Sequence, residues 1–332
     1  MKKILLAAVA ALAIVGCTQN EEIENVGNKA EINFGTIVSK TTRAAVTDNT
    51  ALQGTGFTVY AYNTGKATIG EEGSTGLLST VFMPLTTVEY KDTKWNIAGG
   101  KIYYWPLEDN IQFFAHATDN SATNYVAETT AAYPKIDYTV ADAAATQKDF
   151  VVAKALNKTQ ADSEVTFTFI HVLTQVNFSA KTDNADLTYN ITSVKLTNIS
   201  NSGTYNFADD TWVAKTEAEN IKEYVYLNKS EGIDIVKGTA TDLQSDGALM
   251  LIPQALTNSD IVINYNVLQG GKVIEKVENE KISLSSTSWA AGKKIRYTLN
   301  LTATGVTVSF DASVGGWGTE TDPLNPVTPP AE

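Results

Sequence analysis

The stretch Phe57-Thr58-Val59-Tyr60-Ala61-Tyr62 sets the pattern that decides the fold of this chain. Phe57, Val59 and Ala61 fall on one face if the stretch is extended, because successive side chains of a strand point to opposite sides. Similar short runs recur along the chain, separated by clusters of Asn, Asp, Gly and Ser that favour turns. Residues 141–145 and 217–221 are each suited to one short turn of helix and no more. We therefore predict an all-β fold.

Strands this short and numerous favour antiparallel β-sandwiches over a parallel α/β sheet, which needs long crossover helices. The chain has 332 residues, which is enough for two domains of ordinary size. The hydrophobic stretch from Val165 to Phe178 is longer than one strand needs, so we predict a domain boundary near Ile170. Residues 320–332 are rich in proline, which cannot donate to a β-ladder, and we expect an extended or disordered tail there.

The first 16 residues have the pattern of an export signal. Lys2 and Lys3 precede an apolar run from Ile4 to Gly16 that is shorter than the roughly 20 residues a membrane-spanning helix requires. The run leads into Cys17 through residues that resemble a bacterial lipobox. Cys17 is the only cysteine of the chain, which excludes an intramolecular disulfide. We predict that residues 1–16 are a lipoprotein signal peptide and that Cys17 is acylated, with palmitate among the expected modifications.

Charge and composition restrict the function further. The chain carries 37 acidic and 25 basic residues, for a net charge of -12. This balance argues against a nucleic-acid partner, because no basic surface would dominate the field of such a molecule.

Catalytic chemistry has little support in the sequence. The two histidines, His116 and His171, each lie within an apolar strand pattern, where a histidine hydrogen-bonded near a strand end is the expected use. Two histidines and no available thiol do not make an ordinary structural zinc site, and we expect no metal, no cofactor and no catalytic residues. A surface glycosidase stays open as an alternative, because it needs only two converging carboxylates.

Adjacent aromatic residues raise the question of a carbohydrate platform. Alternation along Tyr103-Tyr104-Trp105 predicts Tyr104 in the core, with Tyr103 and Trp105 facing outward or packing under a loop. Outward-facing rings could bind a glycan, although packing over a sheet edge is the expected role.

Several stretches, taken in order and spacing, resemble the fimbrillin family of Bacteroidetes, which are subunits of type V pili. They are Cys17, residues 32–45, 56–62, 101–106, 113–116, 149–153, 167–173, 249–254, 289–293 and 314–317. The resemblance implies two transthyretin-like antiparallel β-sandwich domains in tandem, in a lipoprotein exported to the outer membrane and then built into a cell-surface fimbria that serves adhesion. The implied segments are 1–16 (signal), 17–43 (lipidated tether and removable strand), 44–170 (first sandwich), 171–319 (second sandwich) and 320–332 (tail).

The resemblance also implies proteolytic processing. A trypsin-like protease would cut after Arg43 and leave Ala44 as the new N-terminus. The removed segment contains a short strand-like run in which Ile32, Phe34 and Ile37 would fill a groove of the first sandwich. A terminal strand of the next subunit would then enter the vacated groove.

Candidate donor residues lie between residues 295 and 310. They are Ile295, Tyr297, Leu299 and Leu301 on one run and Val306, Val308 and Phe310 on the next. The expected partners are other fimbrial subunits, as a homopolymer or with tip and anchor proteins, together with the processing protease and, before cleavage, the outer membrane. The alternative is a permanently lipid-anchored surface protein that binds glycans or host proteins without polymerising.

Overall fold

The structure is a computed structural model that describes residues 30–38, 48–117, 123–126, 133–238, 240–243, 247–285 and 287–316. These residues are mostly strand, so the all-β prediction is confirmed. The 3-10 turn Ala144–Thr146 overlaps the first window expected to form a short turn of helix, and the 3-10 turn Ala218–Asn220 lies within the second. One helix, α1 (Asn49–Thr55), was not predicted. It begins after Asp48, whose side chain accepts a hydrogen bond from the backbone N–H of Ala51 at 2.7 Å.

The strands are numbered in chain order. The first group is β1 (Phe34–Val38), β2 (Phe57–Asn63), β3 (Thr80–Lys91), β4 (Lys94–Ile97), β5 (Ile111–Ala117), β6 (Thr123–Val126), β7 (Lys135–Thr139), β8 (Val151–Lys158) and β9 (Val165–His171). The second group is β10 (Thr174–Thr182), β11 (Thr188–Ser200), β12 (Ser202–Asn206), β13 (Thr211–Ala214), β14 (Ile221–Ile235), β15 (Thr241–Asp242), β16 (Leu249–Leu251), β17 (Asp260–Gln269), β18 (Lys272–Ser283), β19 (Lys293–Thr302) and β20 (Gly305–Gly316).

Seven strands of the first group form one sheet in the order β1-β9-β8-β5-β2-β3-β4. Strand β1 runs parallel to β9, and the other neighbours are antiparallel. The sheet curls so that its two edge strands meet. They are joined by a hydrogen bond that Nε1 of Trp95 in β4 donates to Oγ1 of Thr36 in β1 at 3.1 Å. An aromatic core that includes Phe57, Phe113 and Phe167 fills the curl.

All strands of the second group except β12 and β13 form two further sheets. One has the order β15-β10-β19-β20, with β16 also paired to β10, and the other has the order β14-β11-β17-β18. Within the first of these, β10 and β19 run parallel over eight residue pairs, from Gln175 opposite Lys294 to Thr182 opposite Leu301. Buried side chains from both sheets, such as Phe178, Leu196 and Ile263, share one core.

A fourth sheet, in the order β13-β12-β7-β6, joins the two groups. Its central pair is β7 from before the expected boundary and β12 from after it, with Ile136 opposite Tyr205. The outer face of the seven-stranded sheet packs here too, since the rings of Phe114 and Phe207 lie 5.3 Å apart. Ile170 lies near the end of β9, and the next strand, β10, belongs to a different sheet. The residues before and after Ile170 nevertheless share the fourth sheet and one core.

The side-chain orientations predicted for residues 103–105 were wrong. Trp105 is 4% exposed and Tyr103 is half-buried, whereas Tyr104 is 42% exposed. Side chains do alternate along this segment, but Tyr103 and Trp105 are the ones that face inward. The backbone of the segment pairs with residues 30–32. In this position the ring of Trp105 packs 6.0 Å from that of Phe113. These two rings therefore form part of the core rather than an outward platform.

Candidate functional site: a groove filled by the N-terminal arm

Residues 30–38, here called the arm, lie in a groove where residues 33–38 pair with β9 and residues 30–32 pair with residues 103–105. On one side the arm runs parallel to β9, with Phe34 opposite Val165, and the N–H of Val165 donates to the carbonyl of Asn33 at 2.8 Å. On the other side the N–H of Ile32 donates to the carbonyl of Tyr103 at 2.9 Å. The N–H of Trp105 in turn donates to the carbonyl of Ala30 at 2.9 Å. The arm thus completes two rows of backbone hydrogen bonds.

Alternate side chains of the arm enter the core of the seven-stranded sheet. Ile32, Phe34 and Val38 are 6%, 4% and 5% exposed. The ring of Phe34 is the centre of an aromatic cluster, at 6.1 Å from Phe57, 6.1 Å from Phe113 and 5.8 Å from Phe167. Burying a ring of this size among other rings contributes several kcal/mol, at the scale of the roughly 3–5 kcal/mol lost when a core Phe is cut back to Ala.

Side chains of the arm face the core at every second position, so one of the three residues predicted to fill the groove does not do so. Positions 32, 34, 36 and 38 face the core, so Ile37 points away from the groove and is 54% exposed. Val38 occupies the inward position in its place. Counting in twos from Ile32 would have found Val38, but the glycine at position 35 made the alternation look broken.

The glycine at position 35 lies against a carboxylate. A Cβ atom added to Gly35 would collide with the side chain of Glu164, which is exposed at the start of β9. A larger residue at this outward position would therefore push the Glu164 side chain aside, and an acidic one would also meet like charge. Glu164 is a feature of the groove that the sequence reasoning missed, and only the parallel pairing of β1 with β9 reveals it.

The arm also contacts the segment that follows it. The N–H of Val38 donates to Oδ1 of Asn49, the first residue of α1, at 3.0 Å. Cys17, Arg43 and Ala44 lie outside the described residues, and Arg43 falls in the sequence between β1 and α1. A cut at Arg43 would therefore leave the arm held by non-covalent contacts alone.

The predicted donor residues occupy two unlike strands. Strand β19 lies between β10 and β20, and Ile295, Tyr297, Leu299 and Leu301 are at most 2% exposed. Its side chains are also bonded into the second core, since Nε1 of Trp289 donates to the hydroxyl of Tyr297 at 3.0 Å. The hydroxyls of Thr298 and Ser179 are likewise 2.9 Å apart.

Strand β20 is at the edge of its sheet. It pairs with β19 and with no other strand in the described part of the chain. Val306 and Val308 are half-buried against the second core, and Thr307 and Ser309 are exposed. In the backbone register Phe310 lies opposite Tyr297.

The histidines have structural surroundings. Nδ1 of His171 lies 2.8 Å from Oδ2 of Asp149, and both side chains are buried. His116 is buried in β5 with its ring stacked 6.2 Å from Tyr125, and burial lowers its pKa from 6.5 to about 4. Within the described ranges, no group of three or more His, Cys, Asp or Glu side chains is suited to a metal ion. Nor do those ranges contain a helix long and apolar enough to cross a membrane.

Comparison with known proteins gives a consistent picture. The family profile described as fimbrillin-like matches residues 42–317. A relative from Phocaeicola vulgatus, the fimbrium subunit Fim1C, is 26% identical, and the match covers 96% of this chain and 97% of the relative. The crystal structure of a fimbrial protein from Bacteroides vulgatus has the same fold, with a TM-score of 0.69 and 23% identity over 86% of this chain and 99% of that one.

Proposed function

Because the chain belongs to the fimbrillin-like family, we propose that it is a structural subunit of a cell-surface type V fimbria, exported as a lipoprotein and polymerised by exchange of β-strands. Its partners are other fimbrial subunits, and its role in the assembled fibre is adhesion. Fimbrillin-like proteins are fimbrial subunits and not a family of enzymes, which agrees with the surroundings of the two histidines. Lipid on Cys17 delivers the precursor to the outer membrane.

One observation carries the proposal. The arm contributes three buried apolar side chains to the first core, yet it precedes Arg43 in the sequence, and its covalent connection to β2 and the later strands runs through the segment that contains this arginine. Cleavage after Arg43 by a trypsin-like protease makes the arm removable, with Ala44 as the new N-terminus. Its loss opens a trough lined by Phe57, Phe113 and Phe167, beside unpaired backbone groups of β9.

An open groove of this kind is a strong site for strand addition, because unpaired backbone groups beside an apolar trough are a template for another strand. Of the two candidate strands, β20 is the one we propose to be donated. It has one neighbouring strand, and its Val306 and Val308 are half-buried, whereas removal of β19 would take Tyr297 and Leu299 out of the second core and separate β10 from β20. A subunit that donates at one end and accepts at the other makes a heterologous contact that extends into a filament.

Limited digestion of the full chain with an arginine-specific protease tests this function, because trypsin would also cut after Lys40 in the same segment. We expect one early cut, an N-terminal sequence beginning at Ala44, and oligomers that survive SDS without boiling. Arg43→Ala is the matched control and should stay monomeric under the same digestion. A wild-type product that begins at Ala44 and stays monomeric would contradict polymerisation and favour the lipid-anchored binding protein instead.

A further inference from the structure

The sheet β14-β11-β17-β18 loses its regular pairing at the same level in all four strands. In β11, Thr192 is left out of the ladder with both neighbouring strands. Beside it, residues 229–232 of β14 leave the ladder, and Asn264 of β17 lies opposite two residues of β18, 278 and 279. Bulges give up backbone pairing and re-aim side chains, so irregularities in four adjacent strands indicate a surface with a use beyond folding.

This row of irregular pairing opens into a shallow cleft of about 360 Å³, a volume at the lower end of those of small-ligand sites. Nine of the eleven residues that line the cleft are polar, so it differs from the usual apolar pocket. The two others, Tyr265 and Val277, are part of the second core or packed against it, and Tyr265 is 4% exposed. The cleft therefore offers neither an aromatic platform nor an apolar floor.

Side chains hold the floor of the cleft in place. Oγ1 of Thr192 donates to the carbonyl of Asn264 at 3.2 Å, and Oδ1 of Asn264 accepts from the N–H of Asn279 at 2.7 Å. Next to them, Nδ2 of Asn190 donates to Oδ1 of Asp234 at 2.7 Å. A floor that is already fixed lowers the ordering cost that a ligand must overcome.

Three side chains of the rim keep their hydrogen-bonding groups available. Asn228, Lys276 and Glu278 form no hydrogen bond or ion pair with any residue in the described ranges, and all three are exposed. Lys229, the other cation of the cleft, already pairs with Glu231 at 3.5 Å. The available groups are thus an amide, an ammonium and a carboxylate, which together donate and accept hydrogen bonds and have no net charge.

These groups suit a ligand with many hydroxyls. An amide both donates and accepts, so it can bind two neighbouring hydroxyls, and hydrogen bonds to an ammonium or a carboxylate are stronger than those between neutral groups. An ionic ligand would gain little from a balanced pair of charges, and an apolar one would find no apolar floor. We propose that the cleft binds a neutral oligosaccharide, whose hydroxyls contact the side chains of Asn228, Lys276 and Glu278.

The inference rests on the adhesive role in the proposed function, and it adds the class of ligand and the place where it binds. Every residue of the cleft belongs to the second group of strands and follows Arg43 in the sequence. The site is therefore present in the uncut chain, and binding does not depend on cleavage or on polymerisation.

Binding is measured on the Arg43→Ala chain, which is expected to stay uncut and monomeric. The probe is an array of immobilised neutral oligosaccharides of glucose, galactose, mannose and N-acetylglucosamine, and calorimetry then gives the Kd of the best ligand. We expect a Kd in the millimolar range or tighter, and one that salt leaves unchanged because the ligand carries no charge. No binding to any of these oligosaccharides would overturn the inference but not polymerisation, which the oligomers of the cut chain report separately.

Two substitutions locate the ligand. Asn228→Ala and Lys276→Ala should each weaken binding by about five- to tenfold, because each removes a hydrogen bond to the sugar. Lys281→Ala is the matched control, since it removes another exposed lysine of β18 that lies outside the cleft, and it should leave the Kd unchanged. Urea unfolding should be alike in the three variants, which separates a lost contact from a damaged fold. A Kd that none of them changes would place the sugar elsewhere and overturn the site.

Discussion

Nε1 of Trp95 donates a hydrogen bond to Oγ1 of Thr36 at 3.1 Å, and this bond connects the two edge strands of the seven-stranded sheet. The ring of Trp95 also packs 5.0 Å from Phe57, so the contact is continuous with the core beneath it. The arm therefore completes the curl of the sheet as well as filling its interior. Without the arm, both this closing contact and the buried side chains of the arm would be missing.

The Trp95 bond should stabilise the uncut chain. Trp95→Phe keeps an aromatic ring and removes the N–H, so we expect the free energy of unfolding of the uncut chain to fall by about 1 kcal/mol. Thr36→Val should have a similar effect, and the double variant should lose little more than either single one, because both remove the same bond. Urea unfolding of the three variants measures this. Fully additive losses would mean that the bond contributes nothing.

Phe34 should dominate the contribution of the arm to stability. Phe34→Ala leaves a cavity among three aromatic rings, so we expect the uncut chain to lose about 3–5 kcal/mol of unfolding free energy. Ile37→Ala is the matched control on the same strand and should change it by less than about 0.5 kcal/mol, because Ile37 faces solvent. Urea unfolding before cleavage measures both. Equal losses would contradict the inward and outward assignment of the arm.

The sequence predicted much of this arrangement, and the parts it missed have a common cause. Alternation identified the strands and the apolar character of Ile32 and Phe34, because a period of two is a local property of the chain. The inward turn of Trp105, the place of Glu164 beside Gly35 and the sheet shared by β7 and β12 depend on which distant segments pair. Local patterns do not specify such pairings. The helix after Asp48 was missed because its seven residues carry a single buried side chain, Leu52.

His116 should make the fold sensitive to moderate acid. Burial lowers the pKa of this imidazole from 6.5 to about 4 in the folded chain, so the folded state favours the neutral ring. The stability that this group contributes is fully present above pH 6.5 and is lost as the pH falls toward 4. We expect a loss of about 2–3 kcal/mol between pH 7 and pH 4.5 from this group.

The comparison with His116→Gln isolates that effect, because carboxylates titrate in the same range and act on both proteins. Urea unfolding at pH 7 and pH 4.5 should show a larger decrease for the wild type than for His116→Gln, although the variant is less stable at pH 7. Parallel decreases in the two proteins would contradict a neutral, buried His116.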